Sequence, residues 1–395
     1  MRFRLDTRLS EASSIGARAG FVLDEGSALA QRLMGRLQEL QTATDEGLLP
    51  ALRLAADGAA VRGAIETGAG WRGSGRGAAD RLVLVGEPGA VAAAALLARS
   101  LGVADLAWVD QPDLRLLHAA LSGARRPRLL ALAGPRWVAE AARASGLERA
   151  RIIVALDQDE PGLDWGQPWV APGASDARLG AVGPAGLAVL GWAGGASEAL
   201  IGGMSEALVE ALDVVRGAAS RANPSLRLAL LARGLEAADP ASAPALVAAT
   251  PALRRWASWA ASTWLAVRSR SAPRGAAVEL MGATPLVCAA GDEAAVQRLC
   301  EGARGPWSLL LGIEGLPADA LAAEALALLN AQASLLSDHG RPAVRVLLRD
   351  DAPATLAQLC VWWGVGCLLA ASLDAVDPLT MDAADRLRQD LSRHP

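Results

Sequence analysis

Short apolar runs alternate with longer segments of helical spacing from residue 81 onward. The runs are short, continuous and flanked by Gly, Pro or charged residues, as in strands buried on both faces: 81–86 (RLVLVG), 106–110 (LAWVD), 126–133 (RPRLLALA) and 151–156 (RIIVAL). Between them lie helix-length segments such as 88–102 (PGAVAAAALLARSLG). This alternation predicts a parallel sheet with helices on both faces.

The same alternation returns after a long helical passage at 184–215. Strands are predicted at 226–232 (LRLALLA), 284–290 (TPLVCAA), 307–315 (WSLLLGIEG) and 344–350 (VRVLLRD), and a helix at 251–267. Helical spacing and a Gly-rich stretch fill residues 1–80. We therefore predict an α/β protein with two doubly wound parallel-sheet lobes in series, 81–220 and 221–395, a helical N-terminal segment 1–80 and a closing C-terminal helix.

Composition fits this architecture and excludes several functions. The chain has 395 residues, 52% of them hydrophobic, which is enough for two cores. All 38 basic residues are Arg, so a lysine Schiff base or phosphate-loop lysine is excluded. The net charge is −4 and the arginines are scattered along the chain, which predicts no nucleic-acid binding. The start lacks a signal-peptide core, and apolar runs such as 90–104 are interrupted by Arg or Gly, so we predict a cytoplasmic protein that does not enter a membrane.

The Cys and His residues do not have metal-binding spacing. The cysteines form neither a CxxC pair nor a zinc pattern, and buried thiols are expected at Cys288, Cys300, Cys360 and Cys367. The histidines are widely separated: His118, His339 and His394. We assign His339 to a helix end or turn and keep a sugar contact as its alternative. Neither GxGxxG nor GxxxxGK[ST] follows a strand, and no cofactor or metal is expected.

The C-terminal stretch 339–391 resembles the end of bacterial phosphoglucose isomerases. The likeness rests on an aromatic pair (Trp362 and Trp363), a turn (Asp377 to Leu379) and a final helix that carries Asp385 to Arg388. The order of elements over residues 80–390 also matches that family. The resemblance implies two sugar-isomerase (SIS) lobes, interconversion of glucose 6-phosphate and fructose 6-phosphate, and a dimer.

The residues that the resemblance places in the catalytic site differ from the family pattern. Isomerisation needs a carboxylate base that moves a proton between C1 and C2. The family's base matches Ser262 or Thr263, and its catalytic lysine matches Arg388, which stays ionised. Trp259, Trp264, Trp362 and Trp363 could wall a pocket, although Trp at helical spacing is more often core.

The loops that match the family's phosphate pocket are also altered. The first contains Gly86, Glu87 and Gly89, in which Glu87 repels a phosphate and the intervening proline removes an amide donor. The second contains Gly134 and Arg136 but no hydroxyl, and Arg136 is either an anion contact or a surface charge. Arg178 matches a family arginine and is either a ligand contact or half of a structural salt bridge.

Three functions follow from these residues. The first is a catalytically impaired relative that binds a sugar phosphate and acts as a regulatory or scaffolding subunit, as a homodimer or within a larger complex. The second is an active glucose-6-phosphate isomerase whose base is supplied by Glu87, Asp176 or Glu314. The third is a sensor of another sugar derivative. Isomerase turnover separates the first two.

Overall fold

The computed structural model describes residues 3–10, 27–73, 78–132, 136–157, 163–174, 176, 178–195, 197–213, 223–238, 243–268, 285–302, 307–314 and 320–373. These residues form two compact units. The first unit is drawn from Thr44–Ser205, and the second from Met1–Ala43 together with Glu206–Pro378. The predicted segment 1–80 is therefore divided between the units, and the predicted boundary at residue 220 lies within the second unit.

The described strands, in chain order, are β1 (Phe3–Asp6), β2 (Arg81–Val85), β3 (Leu106–Val109), β4 (Pro127–Leu132), β5 (Ile152–Leu156), β6 (Gln167–Val170), β7 (Pro244–Ala248), β8 (Leu286–Ala289), β9 (Trp307–Ile313) and β10 (Ala343–Leu348). The described helices are α1 (Ala28–Asp45), α2 (Pro50–Ala56), α3 (Gly58–Arg72), α4 (Pro88–Arg99), α5 (Leu114–Leu121), α6 (Arg136–Ala144), α7 (Pro184–Trp192), α8 (Glu198–Leu212), α9 (Pro224–Ala238), α10 (Pro251–Arg268), α11 (Glu293–Glu301), α12 (Ala320–Asp338) and α13 (Pro353–Ala371).

The sheet of the first unit is parallel throughout, in the order β3-β2-β4-β5-β6. Its central strands β2, β4 and β5 are buried on both faces because successive side chains alternate between two apolar layers. In β4, Leu130 and Leu132 pack into one cluster, while Leu129 and Ala131 pack into the other. This double burial explains the continuous apolar runs of the sequence, and the doubly wound α/β prediction is confirmed.

The sheet of the second unit has the order β1-β10-β9-β7-β8. Its strands from β7 to β10 repeat the order of the first sheet, with parallel pairing. The position next to β10 is taken by β1, which runs antiparallel, with Phe3 beside Leu348 and Asp6 beside Arg345. The prediction of helices alone before residue 80 is therefore wrong, because the polar–apolar alternation at 3–6 forms a short edge strand.

The predicted strand at 226–232 is also wrong, because these residues lie in α9. Asn223 precedes the helix, and its side-chain oxygen accepts the backbone N–H of Ser225 (3.0 Å) and of Leu226 (3.0 Å). Pro224 occupies the first helical position, where its missing N–H costs nothing. A seven-residue apolar run cannot by itself distinguish a buried helix from a strand. The strand of this region is β7, whose Pro and Ala residues give a weak strand signal.

Helix α13 has the length and hydropathy of a membrane span, with a mean hydropathy of 1.6 over 18 residues. All of that window is buried inside the protein, where α9 and α10 pack against α13. Interior packing therefore accounts for its apolar composition.

Helices α3 and α7 of the first unit approach each other closely enough to require glycine. A Cβ added at Gly68 would lie 1.7 Å from the carbonyl oxygen of Ala188, and one added at Gly191 would lie 2.0 Å from that of Ile65. Such distances are far below van der Waals contact, so the two glycines bring the helix backbones together. Helix α7 also packs on α4, and every residue of α7 is buried.

Candidate functional site

The carboxyl edge of the first sheet contains a topological switch point between β2 and β4. The chain leaves β2 for β3 on one side and returns to β4 on the other, so β2 and β4 are neighbours. Open α/β sheets bind ligands in the crevice outside the carboxyl ends of such strands. Both predicted phosphate loops follow these two strands, at 86–89 and 133–136.

The loop after β2 is shaped by packing as well as by position. The N–H of Gly86 donates to the carbonyl of Val109 (3.2 Å). A Cβ at Gly86 would lie 3.0 Å from the Leu132 Cβ and 3.3 Å from Val91 Cγ2. Glycine therefore lets β2 end close to β4 and to the first turn of α4.

Glu87 is the residue that precedes α4. Its backbone is extended (φ −60°, ψ 147°), and its side chain does not cap the helix. Pro88 follows as the first helical residue and has no N–H, which leaves Gly89 and Ala90 as the amide donors of the first turn. An anion at this helix end would gain two amides and the helix dipole but would meet the Glu87 carboxylate.

The second loop is only partly described. Arg136 is the first residue of α6, and Gly134 lies outside the described residues. The predicted turn at 377–379 and the closing helix with Arg388, matched to the family's lysine, also lie outside them.

Arg178 forms a bidentate ion pair with Asp176. Its Nε lies 3.0 Å from Oδ1 and its Nη2 lies 3.2 Å from Oδ2, while the backbone N–H of Arg178 also donates to Oδ1 (2.8 Å). The two side chains are 9% and 15% exposed. Of the two alternatives for Arg178, the salt bridge that fixes its own segment is present in the structure.

Thr263, at the position matched to the family's base, lies on α10 with 1% exposure. Trp264, next to it in the helix, is 3% exposed and packs on Trp307 and Trp363, with ring centroids 6.2 and 5.9 Å away. Ser262 is exposed, and its hydroxyl donates to the carbonyl of Ser258 (3.1 Å). Neither hydroxyl is a carboxylate, and the Thr263 side chain is buried.

The tryptophans of the second unit form one aromatic core. Trp256 packs on Trp259 and Trp363, with centroid separations of 6.1 and 5.7 Å. The Trp363 indole N–H donates to the carbonyl of Ala260 (2.9 Å) on α10. The exposures of Trp259, Trp264, Trp362 and Trp363 are 3% or less. These indoles therefore join α10 to α13 as core residues.

Glu314, a candidate replacement base, follows the carboxyl end of β9 and is paired with Arg4 of β1 (Nη2 to Oε1, 2.6 Å). Strand β1 was not predicted from the sequence, and neither was this partner of Glu314. Asp6 on the same strand is 7% exposed and accepts hydrogen bonds from Arg8 (2.9 and 2.8 Å) and from Arg345 (2.6 Å). These bonds hold the pKa of Asp6 well below its usual range. Period-two alternation at residues 3–6 was the available signal.

The remaining candidates, His339 and the four cysteines, have the surroundings of structural residues. His339 directly follows α12, and its Nδ1 lies 2.9 Å from the carbonyl of Leu335, as expected for a helix-end residue. The four cysteines are buried thiols, and burial raises the pKa of Cys288 to about 11. Within the described part of the chain, no group of three or more His, Cys, Asp or Glu side chains could hold a metal ion.

Comparison with known proteins supports the fold. No family model matches the sequence, and no curated protein matches it either. A hypothetical protein from Thermus thermophilus superposes with a TM-score of 0.72 and 19% identity, covering 99% of each chain. A glucose-6-phosphate isomerase from Chlamydia trachomatis superposes with a TM-score of 0.62 and 14% identity, covering 97% of this chain and 81% of the isomerase. At such identities the likeness establishes the fold alone: the chain has the α/β fold of sugar isomerases.

Proposed function

We propose that this protein binds a sugar phosphate at the carboxyl edge of its first sheet and does not isomerise it. The fold is that of a glucose-6-phosphate isomerase. The loop at Gly86 follows a strand at the switch point, where α/β folds hold ligands. The first turn of α4 offers the Gly89 and Ala90 amides and the positive end of the helix dipole to a phosphate.

The loss of turnover is inferred from Thr263, a buried threonine at the position matched to the family's base. Proton transfer between C1 and C2 requires a carboxylate within about 3 Å of both carbons. A threonine hydroxyl cannot take that proton at neutral pH, and the side chain at 263 is only 1% exposed. The chain also has no lysine, and an arginine remains ionised and cannot donate a proton.

Two of the three possible replacement bases are already occupied by arginine. Asp176 accepts three hydrogen bonds from Arg178, and Glu314 is paired with Arg4. A carboxylate held by a guanidinium is a weaker base, because the positive charge favours its ionised form. The third candidate is Glu87, the carboxylate beside the loop.

Isothermal titration with fructose 6-phosphate and a coupled isomerase assay on the same protein test the proposal. We expect binding without turnover. Glu87→Gln should bind about three- to tenfold tighter, because it removes a negative charge beside the phosphate. Glu66→Gln, an exposed glutamate of α3 in the same unit, is the matched control and should bind like the wild type.

The opposite results are equally clear. Turnover that Glu87→Gln abolishes would establish an isomerase with a relocated base. No binding of fructose 6-phosphate would remove the sugar-phosphate part of the proposal.

A binding protein without turnover acts through another chain, so the proposal includes a homodimer or a larger complex in the cytoplasm. Analytical ultracentrifugation with and without fructose 6-phosphate measures the assembly. A monomer under both conditions contradicts the homodimer.

A further inference from the structure

Two arginines lie side by side at the amino edge of the first sheet. Arg128 is the second residue of β4, and Arg151 directly precedes β5. Leu129 pairs with Ile152, so the residues that precede this pair come next to each other. Like charges that face each other on neighbouring strands destabilise a sheet. The arginine pair therefore lowers the stability of the sheet unless a bound anion neutralises it.

Among the described residues, no carboxylate pairs with either arginine. Both side chains are partly buried. Burial lowers the pKa of the Arg128 guanidinium, and the charge of Arg151 lowers it further. Asp80, at the start of β2, is committed to the backbone N–H groups of Arg125 (2.7 Å) and Arg126 (2.9 Å).

Other arginines at this edge have structural partners. Arg81 donates to the backbone carbonyls of Ala120 (3.0 Å) and Ser122 (2.6 Å). Arg149 donates to the carbonyls of Leu163 (2.9 Å) and Gly166 (3.1 Å). These contacts join loops to the sheet, whereas the guanidinium groups of Arg128 and Arg151 have no such partner in the described part of the chain. Arginines that are scattered along the chain thus come together at one edge.

We propose that Arg128 and Arg151 bind a phosphate group. Two adjacent guanidinium groups can each donate paired N–H bonds to a phosphate, and the dianion would cancel their repulsion. Exposed Arg125 and Arg126 add positive potential at the same edge. Inorganic phosphate and a small phosphate ester present the same chemistry to such a pair.

This site differs from the one in the proposed function. β4 is six residues long, so its amino edge lies about 15 Å from the loops at its carboxyl end. Failure of either site would leave the other untouched. A polynucleotide fits less well, because the protein carries a net charge of −4 and the acidic Asp105 and Glu148 lie at the same edge.

Titration with inorganic phosphate, and separately with glycerol 3-phosphate, tests the proposal on the full chain. We expect Arg128→Gln and Arg151→Gln each to weaken phosphate binding at least about tenfold, because each removes one of the paired guanidinium donors. Each variant should also raise the phosphate-free Tm, because it removes the like-charge repulsion. Arg143→Gln, which removes an exposed arginine paired with Asp164 in the same unit, should bind phosphate like the wild type.

Several outcomes would overturn this site. Phosphate binding that is absent from the wild type, or unchanged in both variants, removes it. A lower phosphate-free Tm in both variants would mean that the pair is structural. Tight binding of a short single-stranded oligonucleotide that both variants abolish would assign the edge to nucleic acid instead. Preference for the ester over inorganic phosphate identifies the ligand as a phosphate ester.

Discussion

Thr263→Glu restores a carboxylate at the position matched to the isomerase base, and we expect it to destabilise the second unit without creating turnover. The side chain at 263 is 1% exposed, on the helix α10 that also carries the buried Trp264. A glutamate there must be neutral in the folded state. Burying an unpaired carboxylate costs far more free energy than protonating it.

The magnitude follows from that protonation. The pKa of glutamate in the unfolded chain is about 4.3, and each unit between that pKa and the solution pH costs about 1.4 kcal/mol. At pH 7 the cost is about 3.7 kcal/mol, and fitting the longer side chain adds about 1–3 kcal/mol. Because the folded pKa is raised, the destabilisation grows above a pH of about 4.3 and should be about 2.7 kcal/mol smaller at pH 5 than at pH 7.

Urea denaturation followed by tryptophan fluorescence at pH 5 and pH 7 measures this difference. Thr263→Val, which keeps the shape and loses only the hydroxyl, should cost about 1 kcal/mol at both pH values. A variant too unstable to purify at pH 7 should regain structure at pH 5. Wild-type stability of Thr263→Glu at pH 7, or isomerase turnover by this variant, would show that residue 263 faces a solvated site and would refute the reasoning.

Two further predictions concern the scaffold. Gly68→Ala should destabilise the first unit by at least about 3 kcal/mol, because its Cβ would overlap the Ala188 carbonyl. Gly70→Ala in the same helix adds a Cβ with no atom within 4 Å and should stabilise the unit by up to about 1 kcal/mol. Equal urea midpoints of the two variants would contradict this prediction. Asp6→Asn should cost about 2–3 kcal/mol of stability at pH 7, because it weakens the bonds to Arg345 and Arg8. Since the pKa of Asp6 is lowered in the folded state, the difference in stability from wild type should shrink as the pH falls below about 4. Amide hydrogen exchange of β1 measures that loss, and unchanged exchange at pH 7 would contradict the role of Asp6.

The parts of the fold that sequence predicted are those with double burial. Strands such as β2 and β4 are covered on both faces, so their apolar runs are continuous and distinct from the flanking helices. The run at 226–232 was assigned to a strand because its packing in α9 gives it no polar face. The order of the strands, and hence the position of the Gly86 loop at a switch point, depended on pairing between distant segments.

The candidate site divides in the same way. The sequence alone shows that the chain has no lysine and that residues 262 and 263 are not carboxylates, because both statements depend only on residue identity. The ion pairs of Asp176 with Arg178 and of Glu314 with Arg4 required coordinates, the second because its residues are 310 positions apart.

Residue identity along the chain thus determined the fold class, its two sheets and the chemical groups that the protein possesses. Tertiary structure decided which of those groups are paired, buried or brought together. It buried Thr263, joined β1 to β10 through Asp6, and set Arg128 beside Arg151. The physical reason is that burial and charge neutralisation depend on neighbours contributed by other strands and helices, and sequence periodicity records only the direction in which a side chain points.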